Sequence, residues 1–467
     1  MRGKMFRKLR AEAEGENGAE SVFMFDNRAL AALLFPIIIE QILNSFMGMA
    51  DTMMVSNVGS TAISAVSLVD SINMLVIQVF SAMAAGAAIV CSRYIGAGDS
   101  EGCNKAARQV VLTVFVISMS ITVLGLLFRK PLLHIVFGEV EAAVMDNSMI
   151  YFLITVLSYP FLALFNAGAA FFRADGNAKL PMIVSVISNI LNIAGNALLI
   201  FIFHLGVAGA ALSTLFSRAF CMVVVFYLLR KPKQKIVLKN YLQIRPQMSL
   251  IRQILAISVP SGIENGMFQF GKLAIQSTVS TMGTAAIAAQ AMTNILENVN
   301  GVIGVGTGIG LMTVIGQCIG AKRYKEAKFY MVKLTMIAEI GLALSCLLVY
   351  AIARPVTILG GMEPESAELC ISMVGAITIA KPLVWVLSFV PAYGMRAAGD
   401  VKFSMMVSIC TMWSCRVALC IFLVRTFSMG PMAVWYGMFA DWTIRAFIFS
   451  GRFLSGRWIK AKTTQTE

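Results

Sequence analysis

Charge is what this chain has least of: Asp, Glu, Lys and Arg make up 13% of its 467 residues, where a soluble globular chain runs near ~25%. A chain that is 58% hydrophobic, with mean hydropathy +0.79, cannot hide that imbalance in a water-soluble core. Histidine is nearly absent, and neither His134 nor His204 has a neighbouring Cys or His to complete a zinc site. No CxxC motif occurs among the cysteines. Cys410, Cys415 and Cys420 stand five residues apart, which suits small hydrophobes and not a metal or redox pair. The glycine run GVIGVGTGIG from Gly301 lacks the G-K-[ST] ending of a phosphate loop, so it reads as a surface for close helix packing. No nucleophile elbow or histidine-centred polar cluster supports an enzyme, and no cofactor is called for.

What the chain has in quantity is apolar runs of about 20 residues, the length that spans a ~30 Å hydrocarbon layer. Hydropathy places twelve of them, near 30–56, 61–90, 107–128, 147–172, 179–203, 207–229, 251–279, 285–315, 330–352, 367–394, 403–424 and 431–451. The expected fold class is therefore an all-α integral membrane protein. A net charge of +14 would point to nucleic acid in a soluble chain, but here the basic residues sit between spans and in the tails. Their partition is sharp, with 29 Lys and Arg on one side against 4 on the other. By the positive-inside rule both termini are cytoplasmic, in a multi-pass protein of the plasma membrane, the inner membrane of a bacterium. No small-residue cleavage site follows the first span, so it reads as a retained helix and not a signal peptide. RAEAEGENGAE, from Arg10, reads as part of a disordered tail.

The chain repeats itself. PIIIEQ at Pro36 recurs as PSGIEN at Pro260, 224 residues on. Val55, Gly59, Ala62 and Ile63 match Val279, Gly283, Ala286 and Ile287 at the same offset, and IGAG at Ile95 matches IGAK at Ile319. With a slip of one residue, FRADGNAK around Arg173 matches MRAAGDVK around Arg396. An even number of spans per half makes this a parallel repeat about an axis along the membrane normal. The domains expected are a cytoplasmic tail 1–28, an N-lobe 29–230 of six helices, a basic, flexible linker 231–250, a C-lobe 251–452 and a tail 453–467.

These segments, in this order, resemble the multidrug and toxic compound extrusion (MATE) transporters, over nearly the whole chain. PIIIEQILNSFMGMADTMMV is similar to the family's first helix, a proline followed by a V-D-T element. CSRYIGAG, GQCIGAK and FRADGNAK are similar to its loops after helices 2, 8 and 4. The resemblance implies a bacterial member of the multidrug/oligosaccharidyl-lipid/polysaccharide flippase superfamily, a V-shaped pair of six-helix lobes, and export of small cationic or amphipathic organic compounds in exchange for H+ or Na+ by rocking-bundle alternating access. With no ATP-binding domain in view, the energy comes from an ion gradient. The partners implied are a small-molecule substrate, the coupling ion and the lipid bilayer, and the chain is read as a monomer.

An ionised side chain at the bilayer centre costs on the order of 3 kcal/mol on insertion scales, so each needs a partner, a cavity or a function. Glu40, Asn44, Met47 and Asp51 follow i, i+4, i+7, i+11 and share one helix stripe, and Ser185, Asn189, Asn192 and Asn196 do the same in helix 5. Asp51 is the leading coupling residue on this reading, and a structural Asp51 bonded to helix 5 is the alternative. The resemblance puts the N-lobe cation site at Asp51, Asn192 and Thr214, with a transient Na+ near Asp51. Where the family pattern expects an aspartate this chain has Asn196, which weakens the site for Na+ or tunes it to a single proton on Asp51. Asp70, Asn73, Glu264, Asn294 and Glu297 are expected along the cleft between lobes. Lys272 is expected to neutralise Glu264 or Glu297, either as a switch or as a permanent pair. Asp441 and Arg445 make a local ion pair, and Arg218, Lys381 and Arg416 snorkel from helix ends. The acidic walls, with Phe161, Phe165, Trp385 and Phe389, suit an amphipathic cation. A flippase for lipid-linked saccharides on a related scaffold is the alternative, and a wide basic cavity would favour it. A channel or a sugar transporter of the other 6+6 superfamily fits less well, because the 2–3 loop CSRYIGAGDSEG lacks that superfamily's glycine-rich basic motif.

Overall fold

In lipid only a helix satisfies every backbone N–H and C=O within its own segment, so each long apolar run must close its hydrogen bonds on itself. The computed structural model describes residues 2–16, 23–138, 140–231, 234–238 and 245–460, and every regular element among them is helical. In chain order these are α1 (Arg2–Glu16), α2 (Asn27–Ser56), α3 (Ser60–Gly96), α4 (Ser100–Leu127), α5 (Arg129–Phe137), α6 (Ala142–Leu157), α7 (Tyr159–Ala174), α8 (Lys179–Asn196) and α9 (Gly206–Leu229), followed by α10 (Met248–Val279), α11 (Thr284–Gly320), α12 (Tyr324–Leu359), α13 (Pro364–Ala398), α14 (Val401–Thr411), α15 (Leu419–Phe427), α16 (Met432–Leu454) and α17 (Arg457–Lys460).

All twelve expected spans are found as helices. The fourth is the pair α6 and α7, bent by 41° at Ser158, just before Pro160. Proline there lacks the N–H that would continue the ladder. The fifth runs from α8 into a π-helical turn, Ala197–Ile202, and the eleventh joins α14 to α15 through a second π segment, Met412–Ala418. By length and hydropathy nine of the described helical segments suffice to cross a membrane, or ten with the bent pair. α10 and α16 complete the set by position; Glu264, Asn265 and Lys272 in one, and Asp441 and Arg445 in the other, lower their hydropathy.

Residues 31–262 form one compact unit, and the residues up to Leu30 with those from Ile263 onward form the other. The first tail is not the disordered segment expected. Residues 2–16 are helical, and Phe6 and Phe23 both pack on Phe329 of α12, with centroids 5.2 and 5.1 Å away. The next turn is held harder: Tyr330 Oη accepts from the Phe25 amide at 2.9 Å and donates to the Phe25 carbonyl at 2.8 Å, and Lys333 Nζ donates to Asn27 Oδ1 at 2.7 Å. A cavity of about 400 Å³ opens here, lined by Phe6, Arg10, Phe23, Phe329 and Lys333 among others. Residues 17–20 of the expected disordered stretch lie outside the described residues.

The linker, expected to be flexible, is described at 231, 234–238 and 245–250, and both longer stretches are anchored. Ile236 and Leu238 are buried, the Lys235 amide donates to Asp175 Oδ2 at 3.3 Å and the Val237 amide to Asn104 Oδ1 at 2.9 Å. Gln109 Nε2 donates to the Arg245 carbonyl at 2.8 Å and the Gln247 amide donates to Gln109 Oε1 at 3.0 Å, while residues 232–233 and 239–244 lie outside the described part. The glycine run from Gly301 does let α13 lie close to α11: a Cβ at Gly304 would overlap the Trp385 ring and one at Gly308 the Tyr393 ring.

Candidate functional site

The polar groups gather inside each unit in turn. In residues 31–262, one stripe of α2 meets α8 and α9. Asn196 Nδ2 donates to Asp51 Oδ1 at 2.7 Å and to Asn192 Oδ1 at 3.2 Å, while Asn192 Nδ2 reaches Thr214 Oγ1 at 3.2 Å and Ser217 Oγ at 3.5 Å. Ser213 Oγ donates to the Asn192 carbonyl at 2.7 Å and fixes the α8–α9 register. The four residues expected to form a cation site thus come together, with Ser217 as an unforeseen fifth. The end of the Asn192 amide that faces Asp51 stands 2.8 Å from Oδ1. As an oxygen it opposes a carboxylate oxygen; as a nitrogen it donates to Asp51 but opposes the Asn196 nitrogen, 3.2 Å away. Asn192 and Asn196 are buried and Asp51 is half-buried.

One level along the same bundle, Asn73 Nδ2 donates to Asp70 Oδ1 at 3.0 Å, Tyr151 Oη to the same oxygen at 3.4 Å, and Tyr159 Oη to Asn73 Oδ1 at 2.7 Å. Arg218, expected to snorkel, instead donates to Ser158 Oγ at 2.7 Å at the bend of the fourth span, within electrostatic range of Asp70 and Asp51. Glu40 does not join Asp51. It is clamped by Arg173, whose Nη2 donates to both carboxylate oxygens at 2.6 and 2.8 Å. Asn44 accepts from Ser185 Oγ at 3.3 Å, and Asn189 is half-buried with its amide nitrogen unpartnered.

The second unit repeats the clamp. Glu264 accepts from Arg396 Nη2 at 3.0 Å, and Arg396 Nε donates to Ser404 Oγ at 3.3 Å. Both arginines occupy the last turn of a helix that ends in a positive-φ glycine, Gly176 (φ 86) and Gly399 (φ 104). A side chain at either glycine would be strained, so this glycine fixes the turn that aims the arginine. The signal for these partners was present in the matched FRADGNAK and MRAAGDVK motifs, but nothing in the sequence joined them to Glu40 and Glu264.

Glu297 is also paired, and not with Lys272. Lys381 of α13 is fully buried and donates to Glu297 Oε1, to the Glu297 carbonyl at 3.0 Å and to Asn300 Oδ1. Its zero exposure excludes the expected snorkelling. Lys272 lies 5.3 Å from the centroid of the Phe268 ring, and Arg416 lies 4.9 Å from the same ring. Asn294 accepts from Gln290 Nε2 at 3.2 Å, and Gln290 Oε1 accepts from Trp435 Nε1 at 3.1 Å. The local pair expected in α16 is present: Arg445 Nε donates to Asp441 Oδ1 at 2.7 Å, with Arg445 also reaching Thr411 and the Ser408 carbonyl. Trp385 and Phe389 stack at 4.8 Å, while Phe161 and Phe165 are half-buried on α7.

The sequence model of the MatE family matches residues 36–198 and again 260–422, so that the second match starts and ends 224 residues after the first. The chain belongs to the MatE family. The double match is also the internal repeat, with the offset read from Pro36 and Pro260. Among relatives of this MatE protein, an uncharacterized transporter YisQ of Bacillus subtilis is 27% identical over 92% of this chain and 95% of its own length. A probable multidrug resistance protein NorM of Thermotoga maritima is 24% identical over 93% of each. The fold is similar to that of a multidrug resistance MATE family transporter of the MOP superfamily solved in its outward-facing conformation, with TM-score 0.86 and 20% identity over 93% of this chain and 96% of that one. The chain is thus a multi-pass membrane protein of a transporter family with multidrug efflux relatives.

Proposed function

We propose that this MatE protein exports small organic amphiphiles from the cytoplasm in exchange for protons, with Asp51 as the group that takes up and releases the proton. The observation that carries this reading is the 2.8 Å contact between Asp51 Oδ1 and the Asn192 amide. With a proton on Asp51 the amide oxygen faces it, Asn196 donates to both, and every contact joins a donor to an acceptor. Without the proton the amide turns over, its nitrogen donates to the carboxylate and its oxygen accepts from Thr214 Oγ1 at 3.2 Å. One proton therefore reverses a hydrogen bond between α8 and α9, a packing change that can bias two conformations of the bundle. Asn196 supports a proton over Na+ because it turns a nitrogen toward Asp51, and a sodium ion wants oxygens. Alternating access by movement of the two homologous halves follows from the parallel repeat. The cytoplasmic placement of both termini, in the inner membrane of a bacterium, rests on the partition of Lys and Arg.

The test is efflux of a fluorescent organic dye from proteoliposomes under an imposed ΔpH or an imposed Na+ gradient. Wild type is expected to respond to ΔpH alone, and Asp51→Asn to lose that response while remaining folded. Normal ΔpH-driven efflux by Asp51→Asn would remove the proton from Asp51, and Na+-driven efflux by wild type would replace the coupling ion.

A further inference from the structure

The second unit has a cationic cluster that its own carboxylates do not neutralise. Four basic side chains, Lys272, Lys381, Arg416 and Arg445, share two acids, Glu297 and Asp441. Lys381 holds Glu297 and Arg445 holds Asp441. Arg416 is left 5% exposed with no carboxylate in ion-pair contact among the described residues. Its Nε has no partner at all, and one Nη2 contact goes to the thioether of Met438 at 3.3 Å. Lys272 lies over the same Phe268 ring as Arg416 and within electrostatic range of it, and no acid pairs with it either. Asp441 Oδ2 is a buried acid oxygen in the cluster without a partner among the described residues. Even if it turned to Arg416, two positive charges would remain in surplus.

Two adjacent cations on one aromatic ring, one of them desolvated, are unfavourable unless something negative joins them. A guanidinium with a free Nε–H is a fork suited to a carboxylate or phosphate. Arg416 is aimed by the π segment Met412–Ala418, and such turns often occur at functional sites. Lys272 is exposed, so the cluster is open on that side.

We infer that the second unit binds an anionic group, a carboxylate or phosphate carried by an apolar molecule, between Arg416 and Lys272 with Phe268 against its apolar part. This deepens the export reading, on which it rests for direction of movement, by giving the cargo an acid group. The source of that group is either a soluble organic acid or the headgroup of a lipid-like molecule.

The test uses the full-length protein in phosphatidylcholine nanodiscs with two xanthene dyes of similar shape, anionic fluorescein and cationic rhodamine 6G, binding being read by fluorescence polarisation. Fluorescein affinity is expected to fall by about tenfold or more in Arg416→Gln and in Lys272→Gln, with Arg416→Lys intermediate and rhodamine affinity unchanged in all three. Lys272→Gln, at an exposed position, keeps the test decisive if Arg416→Gln fails to fold. Unchanged fluorescein affinity in Lys272→Gln and in folded Arg416→Gln, or no binding of fluorescein to wild type, would overturn the site. Exchanging phosphatidylcholine for phosphatidylglycerol separates the sources. Displacement of fluorescein, with phosphatidylglycerol retained by wild type and not by Arg416→Gln, identifies a headgroup, whereas undisturbed binding identifies a soluble acid. If fluorescein binds through Arg416 yet moves under no gradient in proteoliposomes, the export reading fails and the anion site stands. If Arg416→Gln moves fluorescein as wild type does, the reverse holds.

Discussion

The two halves of this chain are copies that kept the same clamp and diverged around it. Glu40 with Arg173 and Glu264 with Arg396 join equivalent helices through equivalent motifs, each with a buried carboxylate on a half-buried arginine set by a helix-ending glycine. Elsewhere matched positions carry different chemistry. Asp70 and Asn73 correspond to Asn294 and Glu297, and 224 residues beyond Asn192 lies Arg416. The first half gathers Asp51 and Asp70 around a single Arg218, leaving a negative charge in surplus, while the second gathers four cations around two acids. Shared scaffold contacts constrain both copies, so the clamp persists. Residues that touch cargo or coupling ion act at one place only and are free to differ. On this view a proton on Asp51 neutralises the first half, and an anionic cargo offsets the second.

Breaking the comparison at its sharpest point should have the largest effect. Asp51→Asn is expected to reduce ΔpH-driven efflux to the level of protein-free liposomes, whereas Glu297→Gln in the other half should leave the response to ΔpH in place. Equal loss in both variants would mean that coupling is shared between the halves. Next in size are the clamps, which should respond alike. Arg173→Ala and Arg396→Ala each strand a buried carboxylate and should lower stability by about 3–5 kcal/mol, read from unfolding in detergent by intrinsic fluorescence. A wide difference between the two would break the equivalence of the repeat.

The Lys381 and Glu297 pair has no counterpart in the first half, where a one-residue slip puts Ser158 opposite Lys381. Lys381→Met should be more destabilising than the double change Lys381→Met with Glu297→Gln, and the coupling measured by the cycle is expected at about 1–3 kcal/mol. Additive changes would show that the two side chains do not stabilise one another. The smallest expected effect comes from Asn196→Asp, which returns the carboxylate of the family pattern. A Na+-gradient-driven component of dye efflux should appear beside the proton-driven one, and its absence would mean that the site excludes Na+ for a reason other than residue 196.

The sequence by itself determined the spans, the repeat and the family, because hydrophobic length and a 224-residue offset are properties of the chain alone. It also brought Asp51, Asn192, Asn196 and Thr214 together, since helical spacing sets which side chains share a face and the family pattern names the facing helices. It could not assign partners to charges on different helices. Lys272 was expected against Glu264 or Glu297, but Glu264 lies against Arg396, 132 residues on, and Glu297 against Lys381. Lys381 was expected to reach for the interface and is buried on Glu297 instead. The π segment that aims Arg416 was likewise decided in tertiary structure, whereas the bend at Ser158 was legible in Pro160. An ion pair in a low-dielectric interior is selected by distance in three dimensions, where a few ångströms decide between partners that the sequence leaves equivalent.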